Sequence, residues 1–325
     1  MSQTIVVPLV GPRLDPDDVS EHALPLTKSL ARANAATVML VSALDLPGSG
    51  PGEAPERGRL PIEMPVIARR HVATRGADPA QLNAQQQVYL DGIAASFDCP
   101  VETRIEHGDP SRAILRVVDD IEDPVIVMAS HGRAGVRRLV QGSVAFNIVR
   151  AAPCPVIVVA SAPNEWVDVE RPALSQVLIP LDGSLLAEYI LEAGLAALGP
   201  AVTTVHLLQV IDPESSPSSL NVIDFIEETS DEAEDYIDDV ASHLSELGYE
   251  VICEVRAGSP EQEILDAGRE ARVDIIALAT HGREGLSRVF FGSISERLAQ
   301  SGTFPILLAR PSDEWLAEMD LSEGS

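Results

Sequence analysis

The chain has 325 residues, enough for two domains of roughly 150 residues that each bury a hydrophobic core. Its hydrophobic fraction of 45% is ordinary for a globular protein, and no apolar run approaches the roughly 18 residues of a membrane span. We therefore expect a cytoplasmic protein without membrane insertion. The formal net charge is −27, and residues 167–325 carry most of it, with 8 basic and 31 acidic residues. No part of the chain is basic enough to neutralise the phosphates of duplex DNA, which argues against a nucleic-acid partner.

The charged residues are unusual in kind as well as in number. Lys28 is the only lysine, and the other 22 basic residues are arginine. Abundant carboxylates with almost no lysine are typical of proteins kept soluble at high salt, where self-repulsion is screened. We therefore expect a halophilic source. Nine carboxylates fall within residues 224–239, and we interpret them as a solvated helix face because no EF-hand spacing is present.

Two halves of the chain show the same order of predicted elements. Each half begins strand, helix, strand, helix, strand: 5–10, 20–33, 38–43, 79–97 and 101–106 in the first, and 177–182, 185–198, 205–210, 224–247 and 251–256 in the second. A fourth strand, a glycine-containing segment, a helix and a fifth strand complete each half. This alternation predicts an α/β fold of two tandem Rossmann-like domains, each with a five-stranded parallel sheet of order 3-2-1-4-5 and helices on both faces. We place the domains at 1–163 and 172–311, followed by a C-terminal tail at 312–325.

A short motif occurs twice, at positions 150 residues apart. Ala129-Ser130-His131-Gly132 is followed, after nine residues, by Gly142-Ser143. Ala279-Thr280-His281-Gly282 is followed, again after nine residues, by Gly292-Ser293. Each copy comes after an apolar run and before a second apolar run that a proline introduces. A buried strand, a turn of small residues and a glycine at a helix start are the parts of an anion-binding βαβ unit.

This motif, with Pro180-Leu181-Asp182-Gly183-Ser184 at the end of the first strand of the second half, resembles the universal stress protein (UspA-like) family. The family pattern is G-x-x-G-x9-G-[ST] after a first strand that ends in aspartate, and the resemblance covers the chain as two tandem domains. It implies an adenine nucleotide α hydrolase-like fold, a role in the stress response and, in a subset of members, binding of ATP, AMP or a related nucleotide with Mg. Members commonly dimerise through their fifth strands, which implies self-association as a pseudo-dimer of the two halves or as a homodimer.

The same resemblance implies a set of nucleotide-binding residues in the second half. They are Pro180, Asp182, Val210, Leu278, Gly282, Gly292, Ser293, Ile294 and Ser295. Backbone N–H groups at 292–295 would face a phosphate, helped by two serine hydroxyls, and the backbone of Val210 would hold the adenine edge. Asp182 would bind ribose hydroxyls or a Mg ion on the phosphates; the protein alone provides no metal site. Ala279 replaces the first glycine of the pattern, so we expect weakened rather than abolished binding.

The first half departs further from the pattern. Val10 stands at the position of Asp182, and Ala145 stands at the position of Ser295. Gly132, Gly142 and Ser143 remain as a degenerate counterpart, so we expect the turn to persist without ribose or metal contacts. The halves are therefore interpreted as a scaffold domain and a binding domain.

Other interpretations stay open at this stage. The glycine turns could serve packing alone, and Asp182 could simply cap the helix that begins at Leu185. The chain would then be an interaction module that regulates a transporter or signalling partner without nucleotide. An adenylate-forming transferase is a third possibility. We assign no catalytic residue and expect at most slow ATP hydrolysis, because His131 and His281 belong to no evident triad and no general base is visible. Trp166 and Trp315 could anchor the segments after each fifth strand or only pack locally.

Overall fold

The computed structural model describes residues 3–11, 19–44, 78–130, 144–160, 174–216, 221–280, 293–311 and 315. Within them lie ten strands: β1 Thr4–Pro8, β2 Thr37–Leu44, β3 Val101–His107, β4 Pro124–Ser130, β5 Val156–Ala160, β6 Gln176–Leu181, β7 Thr204–Ile211, β8 Glu250–Ala257, β9 Ile275–Ala279 and β10 Ile306–Ala309. The same residues form eight α-helices: α1 Leu24–Asn34, α2 Pro79–Ala94, α3 Pro110–Asp119, α4 Val144–Ala151, α5 Leu185–Leu198, α6 Val222–Glu246, α7 Pro260–Ala271 and α8 Ser293–Ser301. Short 3-10 turns occur at Ser20–Ala23, Gly199–Ala201 and Pro213–Ser215.

Several helices begin where the sequence provides both a cap and a proline. Asp78 accepts a hydrogen bond from the backbone N–H of Ala80 before α2, and Asp109 accepts one from Arg112 before α3. Proline occupies the first position of α2, α3 and α7, where its missing N–H would have had no helical partner. The helix starts are therefore encoded locally.

All ten strands belong to one sheet of order β3-β2-β1-β4-β5-β10-β9-β6-β7-β8. Neighbouring strands within each half are parallel, and the predicted α/β class is confirmed. The two halves are joined edge to edge, because β5 and β10 pair antiparallel with Ile157 opposite Leu307. Both are short apolar strands that would otherwise present unpaired backbone groups at a sheet edge.

The helices cover both faces of this sheet. On one face, α1, α2, α5 and α6 pack on a core that runs through both halves and includes Leu30, Leu90, Ile190 and Ile237. On the other face, α3, α4, α7 and α8 pack on a second core, which is also shared between the halves. Strands buried on both sides read as the continuous apolar runs seen in the sequence.

Polar contacts also cross from one half to the other. The side-chain amide of Gln3 donates to the carbonyl of Ala197 at 3.1 Å, and its oxygen accepts from Asn34 Nδ2 at 2.7 Å. Arg310 Nη1 donates to the carbonyl of Arg150 at 2.9 Å. The halves therefore meet through strand pairing, a shared core and hydrogen bonds, of which the one from Gln3 to Ala197 is buried.

The exposed features agree with the interpretation of the charge pattern. All nine carboxylates of residues 224–239 are exposed on α6, which makes this helix face a solvated one. The Trp315 ring lies edge-on to Tyr189 of α5, with 5.1 Å between ring centroids, so this tryptophan contacts the second half; Trp166 lies outside the described residues. In the described part of the chain, every helix is too short or too polar to span a membrane.

Candidate functional site

The centre of the second half contains a crevice between two strands. β6 pairs with β9 at Val177–Ile275 and Leu178–Ile276, although β6 continues to Leu181 and β9 to Ala279. The strands therefore separate toward their carboxyl ends. Such a separation, where the strand order reverses, is where ligands bind in open α/β sheets.

Asp182 lies at the mouth of this crevice, directly after β6, and is exposed. Its Oδ1 accepts hydrogen bonds from the backbone N–H of Ser184 at 3.1 Å and from the Ser184 hydroxyl at 2.6 Å. The Ser184 hydroxyl oxygen in turn accepts from the N–H of Ala187 at 3.1 Å and caps α5. The idea that Asp182 itself caps this helix is therefore wrong, because Ser184 is the cap and Asp182 orients it.

Replacing Ser184 by alanine is expected to lower the free energy of unfolding by about 1 kcal/mol, the usual value of an N-terminal cap. Ser184→Thr should retain most of that stability, because threonine also caps helices and keeps the hydroxyl that donates to Asp182. Urea unfolding followed by circular dichroism would measure both variants. Equal losses for the two substitutions would show that capping is not what Ser184 contributes.

The space beside Asp182 is open in the described part of the chain. A Cβ added at Gly183 would meet no atom within 4 Å. Near Asp182, the Tyr236 hydroxyl of α6 donates to Glu188 Oε1 of α5 at 3.0 Å. Burial, with the charges of Glu188 and Asp182, raises the pKa of Tyr236 far above its ordinary value, so the phenol stays a hydrogen-bond donor.

A buried polar atom lies one strand away from the crevice, on the face of the sheet that α5 and α6 cover. Gln209 of β7 pairs in register with Leu181 of β6. Its Oε1 is buried and accepts no hydrogen bond within the described part of the chain. A buried acceptor without a donor is uncommon in folded proteins, and this one is suited to a donor from a bound molecule or water.

The structure distributes the predicted site residues around the carboxyl ends of β6, β7 and β9. Pro180 and Val210 are half-buried and Leu278 is buried, each near the carboxyl end of its strand. The helix α8 begins at Ser293, with Ile294 half-buried and Ser295 buried in its first turn. Gly282 and Gly292, the degenerate counterparts Gly132, Gly142 and Ser143, and both motif histidines lie outside the described residues.

Sequence reasoning missed three residues at this site: Glu188, Gln209 and Tyr236. Gln209 had a visible signal, because it is one of two polar residues, with His206, within the otherwise apolar run 205–210. Glu188 and Tyr236 had none, since their contact joins two helices that are far apart in the chain. No group of three or more His, Cys, Asp or Glu side chains among the described residues could hold a metal ion.

Comparisons with known proteins agree with the fold and with the repeat. The model of the universal stress protein family matches residues 1–160 and again residues 174–310. The universal stress protein Rv2005c of Mycobacterium tuberculosis is 23% identical over 231 residues, which cover 68% of this chain and 73% of that protein. The crystal structure of a universal stress protein from Archaeoglobus fulgidus superposes with a TM-score of 0.61 at 16% identity, covering 96% of this chain and all of that one.

A third comparison concerns a universal stress protein whose crystal structure was solved in complex with cAMP. It is 19% identical to this chain, with a TM-score of 0.33, and covers 50% of this chain and 98% of its own. Two family matches that together span most of the sequence, with the doubled strand order, establish the relationship. The chain belongs to the universal stress protein family, as a tandem two-domain member.

Proposed function

We propose that the second unit, residues 172–311, binds an adenine nucleotide such as ATP or AMP in the crevice between β6 and β9. The first unit, residues 1–163, serves as a scaffold, and residues 312–325 form a tail. The role is regulatory, within the stress response, with at most slow hydrolysis. The observation that carries the proposal is an exposed carboxylate, Asp182, beside open space at the point where β6 and β9 separate.

The polar groups around the crevice are of the kind that binds the ribose hydroxyls of a nucleotide. Asp182 keeps one carboxylate oxygen beyond the Oδ1 that Ser184 uses, and it would accept hydrogen bonds from ribose hydroxyls. Gln209 Oε1 would gain the donor that it lacks. The backbone of Val210 at the end of β7 would hold the adenine edge, with Pro180 and Leu278 as apolar neighbours.

The phosphates would lie at the start of α8. Free backbone N–H groups and the helix dipole favour an anion there, and Gly282, Gly292, Ser293, Ile294 and Ser295 would form the loop and the first turn. Asp182 and Glu188 make the surroundings negative, which disfavours a bare triphosphate. A Mg ion held by the phosphates, with Asp182 as a protein ligand, would neutralise that charge.

Substituting Asp182 by alanine is expected to weaken ATP·Mg binding by about tenfold, equivalent to about 1.4 kcal/mol. Isothermal titration of ATP·Mg into the full-length chain would measure it. Asp231→Ala is the matched control, because it removes the same charge from an exposed position on α6. Ser184→Ala is a second control, because it removes the cap of α5 and keeps the Asp182 carboxylate. Its effect on ATP·Mg affinity shows how much of the loss comes from the cap alone.

Two results would contradict the proposal. Equal heats from the wild type and Asp182→Ala would remove Asp182 from the site. Mass spectrometry of small molecules released from denatured purified protein should detect an adenine nucleotide. If none is found and ATP·Mg gives no heat of binding, the second unit is not a nucleotide site and the interaction-module interpretation stands instead.

A further inference from the structure

The first three turns of α6, residues 222–232, extend beyond the start of the neighbouring helix α5. Tyr236 is the fifteenth residue of α6, and it contacts Glu188, which is only the fourth residue of α5. Both helices are crossovers between parallel strands, so they run in the same direction along the sheet. At a rise of about 1.5 Å per residue, this difference places the start of α6 about 16 Å beyond the start of α5.

The apolar stripe by which α6 packs on the sheet continues into these turns. Ala233, Ile237 and Leu244 are buried in the stripe. Val222 and Ile226 precede Ala233 by eleven and seven residues, and these spacings return to the same face of an α-helix. Val222 is nevertheless 45% exposed and its neighbour Ile223 is 63% exposed. The stripe therefore runs past the core, and its first turn is largely exposed.

Two hydroxyl groups lie along the stripe between its exposed and its buried parts. The Thr229 hydroxyl donates to the carbonyl of Phe225 and the Ser230 hydroxyl donates to that of Ile226, each at 2.7 Å. Both hydroxyl protons are therefore used within the helix. These two residues can be covered by an apolar surface without losing a hydrogen bond.

Carboxylates border the stripe. Helical spacing places Glu227 and Glu234 along one border, with Glu228 and Glu232 toward the other, and all four residues are exposed. Solubility explains exposed carboxylates, but it does not explain exposed branched apolar side chains between them. An exposed apolar patch with a polar rim is typical of a surface that contacts another molecule.

We propose that Val222, Ile223 and Ile226, here called the overhanging face of α6, bind a basic amphipathic helix of another protein. The apolar side of the partner helix would cover these three side chains, which have the spacing of anchors in helix pairing. Its lysine or arginine residues would pair with the bordering glutamates. This inference goes beyond the proposed nucleotide site and does not depend on it.

Charge complementarity selects this partner. A second copy of the chain would bring another net charge of −27 to the acidic helix. Nucleic acids and anionic lipid surfaces carry the same sign of charge and would also be repelled. A cationic helix with one apolar side gains both from the attraction and from covering the overhanging face.

The first test uses a dye-labelled synthetic helix of leucine and lysine, with leucine along one side, as the probe. Fluorescence anisotropy with the full-length chain, without nucleotide, would give the Kd. Ile223→Ser should weaken binding by about fivefold, because less apolar surface is covered. Leu247→Ser is the matched control, since Leu247 is also 63% exposed but lies at the other end of α6. Its Kd should equal that of the wild type.

The second test removes charge and leaves the apolar stripe intact. Glu227→Gln/Glu234→Gln should weaken binding of the same probe by about threefold, and added NaCl should reduce this difference. Glu102→Gln/Glu122→Gln is the control, because it removes the same two charges from exposed positions of the first unit. This control should bind the probe as the wild type does.

Several outcomes would overturn the docking surface. These are equal losses for Ile223→Ser and Leu247→Ser, equal losses for the two pairs of glutamates, or equally tight binding of a peptide with the same composition in scrambled order. Sedimentation of the wild type alone tests the second copy, and a dimer that Ile223→Ser dissociates would also overturn the proposal. Because these measurements contain no nucleotide, an ATP·Mg titration without heat would overturn the nucleotide site alone.

Discussion

Substitution of Leu307 by alanine is expected to lower the free energy of unfolding by about 3 kcal/mol, within the range for leucine in a well-packed core. Leu307 is fully buried on β10 and stands opposite Ile157 at the antiparallel junction. Its Cδ2 also lies close to Gly194 of α5, where an added Cβ would be 3.5 Å away. The leucine therefore packs at the junction of the two halves, beneath the helix α5 that covers the sheet there.

The same variant tests whether the two halves unfold together. Because one core runs through both halves on this face of the sheet, urea unfolding should show a single transition that shifts as a whole. Leu247→Ala is the control, since this leucine is 63% exposed and should change stability by no more than about 0.5 kcal/mol. Two separate transitions, of which only one responds to Leu307→Ala, would show that the halves are thermodynamically independent.

The parts of the fold that local chemistry encodes could be predicted from the sequence. The bounds predicted for α5, 185–198, match those observed, because Ser184 caps its start and Gly199 follows its end. The strand runs lie within two residues of the observed β1, β2, β6 and β7, since strands buried on both faces are apolar throughout. The pairing of β5 with β10 was indicated only by the resemblance, although the sequence carries a signal for it: β5 and β10 are apolar throughout, whereas the other edge strands, β3 and β8, carry charged residues.

The residues of the candidate site also differ in whether the sequence alone reveals them. Asp182 stands out because it ends an apolar run before a helix cap. The contacts of Gln86 and Tyr89 do not, because a glutamine and a tyrosine on a polar helix look like surface residues until their directions are known. These contacts reach Val10 and Gly11, which lie more than 70 positions earlier in the chain. Long-range side-chain contacts of this kind leave no local pattern.

Replacing Gly199 by alanine is expected to cost about 3 kcal/mol, more than its backbone conformation alone would explain. Gly199 ends α5 with a φ of 69°, which favours glycine, and a Cβ there would collide with Asn34 Oδ1 of the first half. Asn34 cannot withdraw freely, because its Nδ2 donates to Gln3 Oε1 at 2.7 Å and Gln3 is itself buried. The collision would therefore disturb the contact between the halves.

Gly248→Ala separates the two contributions to this cost. Gly248 has a φ of 96°, and a Cβ there would meet no atom within 4 Å, so its replacement carries the backbone cost alone, about 1 kcal/mol. If Gly199→Ala costs no more than Gly248→Ala in urea unfolding, the contact with Asn34 is not a tight one. If it costs more, adding Asn34→Ala to Gly199→Ala should recover part of the loss, because the obstructing amide is gone. That recovery, measured as the coupling in a double-mutant cycle, would be a direct measure of how closely the two units pack against each other.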